Sequence, residues 1–180
     1  RVATALPDAP KNSQNRTPML LAKAASRVPG FVLDYQTLIN QTNFTFQGDV
    51  SYYCSGTVNL SSPTTIEGGT VVKFTNTSSA KIIITGAIDC QTGPYRPAVF
   101  TSKDDNTVGQ AIGGSTGFPT NYYGNGLQIN TTDKTLHDLR FSYAGRAVSL
   151  LFDYGQINLA HMQFVHCQYA IDSDDANTIV

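Results

Sequence analysis

The stretch "LRFSYAGRAV" (Leu139–Val148) is matched 23 residues later by "MQFVHCQYAI" (Met162–Ile171). Few letters are identical, yet large apolar residues fall on large ones and small residues on small ones. A parallel β-solenoid explains this match, because each turn places its side chains directly above those of the turn below, about 4.8 Å away. The shift aligns Leu127 with Leu150, Ile129 with Phe152, Leu136 with Leu159, Leu139 with Met162, Phe141 with Phe164, Ala144 with Cys167, Ala147 with Ala170 and Val148 with Ile171.

The chain from Thr57 onward repeats short apolar runs separated by Gly, Asn, Asp, Ser or Pro. No part of this region has the length and period of a helix, so we expect an all-β fold. "TIEGGTVVKF" (Thr65–Phe74) has the strand, glycine turn, strand pattern of a solenoid corner, where glycine adopts positive φ at little cost. The polar, Gly-rich segment 102–126 predicts a long loop that interrupts the coil.

The first 48 residues have a different pattern, so we divide the chain into an N-terminal segment, 1–48, and a parallel β-helix, 49–180. The segment predicts an extended arm, a short helix over Met19–Arg27 and a strand over Phe31–Ile39. Residues 1–30 carry five basic side chains against Asp8 alone, which leaves an excess of acidic side chains in the rest of the chain. Such an arm could dock on the acidic body or on a neighbouring copy, or remain a solvated leader.

"TIEGGTVVKF" followed by "AVFTSKDDNTVG" resembles the right-handed parallel β-helix repeat proteins that environmental bacteria secrete. The resemblance covers roughly Thr57 to Val180, and its motifs are structural rather than catalytic. It implies a right-handed coil and an extracellular or cell-surface location.

The last residues of the chain, "NTIV", are apolar, prone to form strands and fall partway through a turn. An uncovered last turn exposes apolar side chains and unpaired strand edges. We therefore expect either a longer solenoid or another copy over that end. The preferred hypothesis is a secreted structural protein that self-associates end to end into a filament or surface assembly. Its expected assembly residues are Phe31, Val32, Leu33, Thr178, Ile179 and Val180.

An alternative hypothesis is a polysaccharide-binding or adhesion module of a larger surface protein. Arg140, Tyr143, Arg146 and Tyr169 would then form a sugar-binding face. A polysaccharide lyase or hydrolase is a third hypothesis, since the 23-residue shift places Asp138 beneath His161 and Tyr143 beneath His166, and an Asp–His pair can orient a general base. The chain lacks the Gly-His-Gly and Arg-x-Lys segments of polygalacturonase-like enzymes. We therefore assign no catalytic residue.

Several residue types suggest modification or binding sites. Cys54 and Cys90 lie in polar settings and are a disulfide candidate, whereas Cys167 lies between apolar positions and predicts a buried thiol. The carboxylates of Asp172, Asp174 and Asp175 are oxygen donors suited to Ca²⁺, the one cofactor that we consider. Glycosylation sequons begin at Asn15, Asn40, Asn43, Asn59, Asn76 and Asn130.

Charge and hydropathy exclude two classes of partner. The net charge of −1 and the pI near 6.3 give no argument for nucleic acid as a partner. No apolar run reaches the roughly 18 residues that a membrane span requires.

Overall fold

The computed structural model describes residues 35–131, 134–151 and 155–173. They belong to one compact unit that begins at Leu33. Within them the chain forms strands and turns and contains no helix. The predicted arm and the predicted helix over Met19–Arg27 lie outside the described residues.

Fifteen strands make up the described part of the chain. They are β1 (Gln36–Thr37), β2 (Gln41–Phe46), β3 (Ser51–Cys54), β4 (Thr57–Glu67), β5 (Val71–Phe74), β6 (Lys81–Ile84), β7 (Ile88–Gln91), β8 (Ala98–Ser102), β9 (Tyr123–Ile129), β10 (Lys134–His137), β11 (Leu139–Ser142), β12 (Ala144–Leu150), β13 (Ile157–Ala160), β14 (Gln163–Val165) and β15 (Tyr169–Ser173).

The strands wind into a parallel β-solenoid of about six turns, which confirms the predicted all-β coil. Sheet A has the order β1-β3-β5-β8-β11-β14, and sheet B has the order β2-β4-β6-β9-β12-β15. A third face contains the parallel pairs β4–β7 and β10–β13. We number the turns as rungs: rung 1 is β1–β2, rung 2 is β3–β4, rung 3 is β5–β7, rung 4 is β8–β10, rung 5 is β11–β13 and rung 6 is β14–β15.

The first turn of the coil begins before the predicted boundary at residue 49, whereas the predicted corner and loop lie close to their expected positions. Parallel pairing already begins at Gln36, which pairs with Tyr52, so residues N-terminal to 49 contribute to the solenoid. The predicted corner at Thr65–Phe74 is a turn between β4 and β5, and Gly69 adopts a φ of +85° there. The predicted loop lies between β8 and β9 and spans 103–122, slightly less than the 102–126 expected.

Inner side chains form columns along the coil. Phe100, Phe141 and Phe164 pair in register, and their rings stack with centroids 4.8 and 5.8 Å apart. The predicted pairing of Phe141 with Phe164 is therefore confirmed. In sheet B, Val58, Ile82, Leu127, Val148 and Ile171 form another such column. Since apolar burial is the main favourable term in folding, these columns hold the turns together.

One part of the predicted register is wrong. Leu127 pairs with Val148 rather than Leu150, and Ile129 pairs with Leu150 rather than with Phe152. The shift is 21 residues here because six residues join β12 to β13, whereas four residues join β9 to β10. The two additional residues fall between β12 and β13 in the sequence, so the 23-residue shift holds only for positions after this connection and its counterpart between β9 and β10.

Seven described residues other than glycine adopt positive φ, and four of them are Asp138 (51°), Tyr143 (62°), His161 (51°) and His166 (52°). These four form two pairs in neighbouring rungs. Asp138 Oδ1 lies 3.3 Å from His161 Nδ1, and the rings of Tyr143 and His166 stack 5.5 Å apart. Both pairs confirm the predicted vertical neighbours.

We expect the Phe141→Ala substitution to lower the free energy of unfolding by about 3–5 kcal/mol, because it leaves a cavity between two stacked rings. Urea unfolding followed by circular dichroism measures this loss. The matched control is Tyr95→Ala, since Tyr95 is fully exposed and its change should be close to zero. Equal losses for the two variants would contradict the importance of the stacked column.

Candidate functional site

The corner between sheets A and B carries two rows of exposed or half-buried side chains that run along the coil. The first row is Tyr122, Tyr143 and His166, and the second is Asn125, Arg146 and Tyr169. Each row takes one residue from rungs 4, 5 and 6. Between them in sequence, the same rungs contribute Gly124, Gly145 and Gln168. We call this surface the axial groove.

The axial groove contains two adjacent open cavities that share Tyr122. The larger cavity has a volume of about 460 Å³ and extends from Asn76, Thr77 and Ser78 in rung 3 to Tyr169 in rung 6. The smaller cavity, about 340 Å³, is lined by Pro119, Thr120, Asn121, Tyr122, Tyr143 and His166. Aromatic rings, amides and hydroxyls therefore line a surface that crosses several turns.

Backbone strain accompanies the first row. Tyr143 and His166 hold left-handed φ values, which cost a residue with a side chain of order 1–3 kcal/mol, and such residues cluster at functional sites. The ring stack between them, with an interplanar angle of 15°, partly offsets this cost. The same strain occurs at Asp138 and His161, so it is the combination of strain with the two cavities that marks this corner as a candidate site.

The second row contains an ion pair and a cation–π contact. Arg146 Nε lies 2.7 Å from Asp172 Oδ2, and the guanidinium carbon lies 6.0 Å from the centre of the Tyr169 ring. Arg146 and Tyr169 were predicted to share a sugar-binding face, and the structure brings them together. Arg140 of β11 is exposed but lines neither cavity.

The loop 103–122 carries Tyr122 and is held by two buried aspartates. Asp104 accepts hydrogen bonds from the side chain of Asn76 and from the backbone N–H of Thr116 at 2.9 Å. Asn76 also accepts a bond from the Ser102 hydroxyl at 2.8 Å. Asn76 therefore links the base of the loop to the larger cavity.

Asp105 is the second buried aspartate that holds the loop 103–122. Its carboxylate accepts bonds from the hydroxyls of Thr101 at 2.7 Å and Thr107 at 2.6 Å. Burial alone would raise the pKa of Asp105, but these hydrogen bonds and the nearby Lys73 ammonium hold it below its ordinary value of 3.8. Lys73 is completely buried and donates to the Asp105 carbonyl oxygen at 2.7 Å. The carboxylates of Asp104 and Asp105 thus both accept hydrogen bonds that hold the loop to the coil.

A second polar cluster lies where the third face meets sheet A. Asp138 Oδ2 is 2.8 Å from His137 Nδ1, and the Thr92 hydroxyl donates to the His137 carbonyl at 2.6 Å. Thr92 Oγ1 also approaches His137 Nδ1, the same nitrogen that Asp138 contacts, at 3.4 Å. A catalytic triad would need the nucleophile at the other ring nitrogen, so this cluster does not match one.

The predicted disulfide is not formed. Cys54 in β3, Cys90 in β7 and Cys167 are free thiols. Burial raises the pKa of Cys54 to about 12, and burial also raises the pKa values of Cys90 and Cys167. Because the thiolate is the nucleophile and metal ligand, such thiols have a packing role. Cys167, predicted to be buried, is half-buried against the core.

Of the calcium candidates, Asp172 pairs with Arg146, and Asp174 and Asp175 lie outside the described residues. In the ranges that the structure covers, no group of three His, Cys, Asp or Glu side chains could hold a metal. Phe31, Val32, Leu33, Thr178, Ile179 and Val180, the expected assembly residues, also lie outside the described part.

The sequons differ in accessibility. Asn40, Asn43, Asn59 and Asn130 are exposed, whereas Asn76 is half-buried and Asn15 lies outside the described residues. Asn40 Oδ1 accepts a bond from the Asn59 backbone N–H at 2.7 Å, so these two sequons are vertical neighbours.

Sequence reasoning missed Tyr122, Asn125 and Gln168. Tyr122 could have been found, because the 21-residue shift that applies at β9 places it beneath Tyr143. The 23-residue shift concealed this relation. The role of Asn76 had no signal in the sequence, since it depends on how the loop folds back.

No protein-family model, curated protein or solved structure matches this chain. The described ranges also contain no helix that is long and apolar enough to cross a membrane.

We expect acid to release the loop 103–122 before the coil unfolds. Asp104 and Asp105 have folded pKa values below the ordinary value of 3.8, so their stabilisation is complete above that pH and is lost as the pH falls below it. Hydrogen–deuterium exchange of the loop, corrected for the intrinsic effect of pH, measures the release. The Asp105→Asn substitution should raise exchange of the loop at neutral pH.

The control is Asp49→Asn, because the Asp49 side chain is largely exposed and pairs with Arg96 at the surface. Its effect on loop exchange should be negligible. Release of the coil and the loop at the same pH would show that the aspartates do not hold the loop separately.

Proposed function

We propose that this protein is a β-solenoid module that binds polysaccharide in the axial groove. The observation that carries the proposal is the pair of aromatic and polar rows that run in register over rungs 4 to 6. Ligand sites are concave and combine aromatic surface with a few polar groups. Sugars present apolar C–H faces and many hydroxyls, and the groove offers rings together with amides and hydroxyls.

Binding fits the groove better than cleavage does. Inverting and retaining glycosidases both require a pair of carboxyl groups at the scissile bond. Among the described residues, those that line the two cavities include neither Asp nor Glu. Asp172 and Asp104 each bond a lining residue, Arg146 and Asn76 respectively, and both carboxylates are occupied by these contacts. We therefore propose recognition without hydrolysis, and an extracellular or cell-surface location, where polysaccharide is found.

We expect Tyr122→Ala to weaken polysaccharide binding by about tenfold, because Tyr122 lines both cavities and truncation of an aromatic contact commonly costs more than 1 kcal/mol. Affinity electrophoresis in gels that contain soluble polysaccharide measures the loss. The control is Tyr95→Ala, which removes an exposed ring that lines neither cavity. No retardation in any polysaccharide, or equal loss in both variants, would reject the proposal.

A second candidate function is structural self-association end to end. It is supported by rung 6, where inner side chains such as Met162, Phe164 and Ile171 are only partly buried. Their counterparts one rung earlier, Leu139, Phe141 and Val148, are completely buried. A second copy whose first rung covers this edge would bury them, and such head-to-tail contacts generate filaments when they do not close.

For this candidate we expect concentration-dependent oligomers at neutral pH, visible by sedimentation velocity and by electron microscopy. Met162→Lys should abolish them because it places a charge among the apolar side chains of rung 6. Gln163→Lys is the matched control, since Gln163 is exposed in the same rung. A monomer at all concentrations, with folded protein confirmed by circular dichroism, would exclude self-association.

A further inference from the structure

We propose that the ligand of the axial groove is an uncharged polysaccharide that lies parallel to the coil axis. This inference rests on the proposed function and adds two properties of the ligand, namely its direction and its charge. Each property follows from a separate feature of the described residues.

The direction follows from the register of the strands. Asn125 pairs with Arg146, and Arg146 pairs with Tyr169, so the second row advances by one rung at each step. The larger cavity extends from rung 3 to rung 6, which is three steps of about 4.8 Å, or roughly 14 Å. One step is close to the length that a single sugar ring adds to an extended polysaccharide. Successive rings of an axial ligand would therefore meet equivalent positions of successive rungs.

Two glycines between the rows keep the groove open along its length. A Cβ atom at Gly124 would lie 2.7 Å from the Ser78 carbonyl oxygen, and one at Gly145 would lie 2.9 Å from the Gly124 carbonyl oxygen. The close approach of the rungs therefore requires glycine at both positions. As a consequence, rungs 4 and 5 contribute no exposed side chain between the two rows, because Tyr123 and Ala144 are buried, and a ligand can pass from one rung to the next.

The inference that the ligand is uncharged follows from the pairing of Arg146. Arg146 is the one lysine or arginine among the described residues that line the two cavities. Its Nε atom already lies 2.7 Å from Asp172 Oδ2. A polysaccharide rich in carboxylates or sulfates would compete with the Asp172 carboxylate for this guanidinium and would find no second Lys or Arg among the described lining residues.

An uncharged ligand meets suitable partners instead. Asn125 and Gln168 lie beside the aromatic residues, and Thr77, Ser78, Thr120 and Asn121 complete the polar lining. Amide and hydroxyl groups can both donate and accept hydrogen bonds, as sugar hydroxyls also do. The groove therefore matches the hydrogen-bonding pattern of a neutral polyol, and its described lining has a single Lys or Arg to balance the charges of a polyanion.

Calorimetric titration with neutral hexose oligomers of two to six units, and with hexuronic acid oligomers of the same linkages, tests both properties. The affinity for a neutral oligomer should rise with length up to about four units, the span of the rungs that line the groove, and then remain constant. Each hexuronic acid oligomer should bind about tenfold more weakly than its neutral counterpart.

Two variants test the direction and the charge of the ligand separately. Tyr169→Ala removes an aromatic contact of rung 6, so it should abolish the affinity gained from the last unit and leave the shortest oligomers unaffected. Asp172→Asn has nearly the same shape but leaves Arg146 unpaired, so it should strengthen hexuronic acid binding while neutral binding persists. Tyr95→Ala serves as the control, and circular dichroism verifies that each variant is folded.

The outcomes separate the inference from the proposed function. If the unaltered protein preferred hexuronic acid oligomers, the inference that the ligand is uncharged would be overturned. The inference that the ligand lies parallel to the coil axis would be overturned by either of two results. One is an affinity that stops rising after two units, and the other is a loss of affinity in Tyr169→Ala that is equal at every oligomer length. In both cases polysaccharide binding itself would stand, whereas failure of every oligomer to bind would overturn the proposed function as well.

Discussion

Vertical matching of side chains between successive turns is the constraint on which this structure depends. Parallel pairing fixes the spacing of the rungs at about 4.8 Å, so a large inner side chain needs a partner of similar shape above and below it. The stacked rings of Phe100, Phe141 and Phe164 meet this requirement. Connections outside the sheets are free of it, which is why two additional residues between β12 and β13 leave the columns intact.

The same constraint orders the outer surface. Residues that follow an inner column in sequence are repeated one rung later, so exposed side chains also form rows. At the corner between sheets A and B these rows contain aromatic, amide and guanidinium groups, and the corner backbone is strained at Tyr143 and His166. The long loop adds Tyr122 to this surface because buried aspartates and Lys73 hold its base against the coil.

The carboxylates with the clearest partners hold neighbouring parts of the chain together. Asp104 and Asp105 fasten the loop, Asp138 lies between two histidines, and Asp172 pairs with Arg146. With Asp172 so occupied, the axial groove resembles an uncharged recognition surface more than a catalytic cleft. This distribution of charge is the physical basis for proposing that the protein binds a neutral polysaccharide.

The sequence by itself determined the parallel coil, the strand–glycine–strand corner and the vertical pairs Asp138–His161 and Tyr143–His166, because periodic size matching leaves a direct trace in the order of residues. It also suggested that Tyr143, Arg146 and Tyr169 share a face. Only the tertiary structure decided that Tyr122 and Asn76 join them, that Arg146 is neutralised by Asp172, and that Cys54 and Cys90 remain free thiols. These contacts depend on how a long loop folds back and on the exact length of each connection, and neither has a periodic signal.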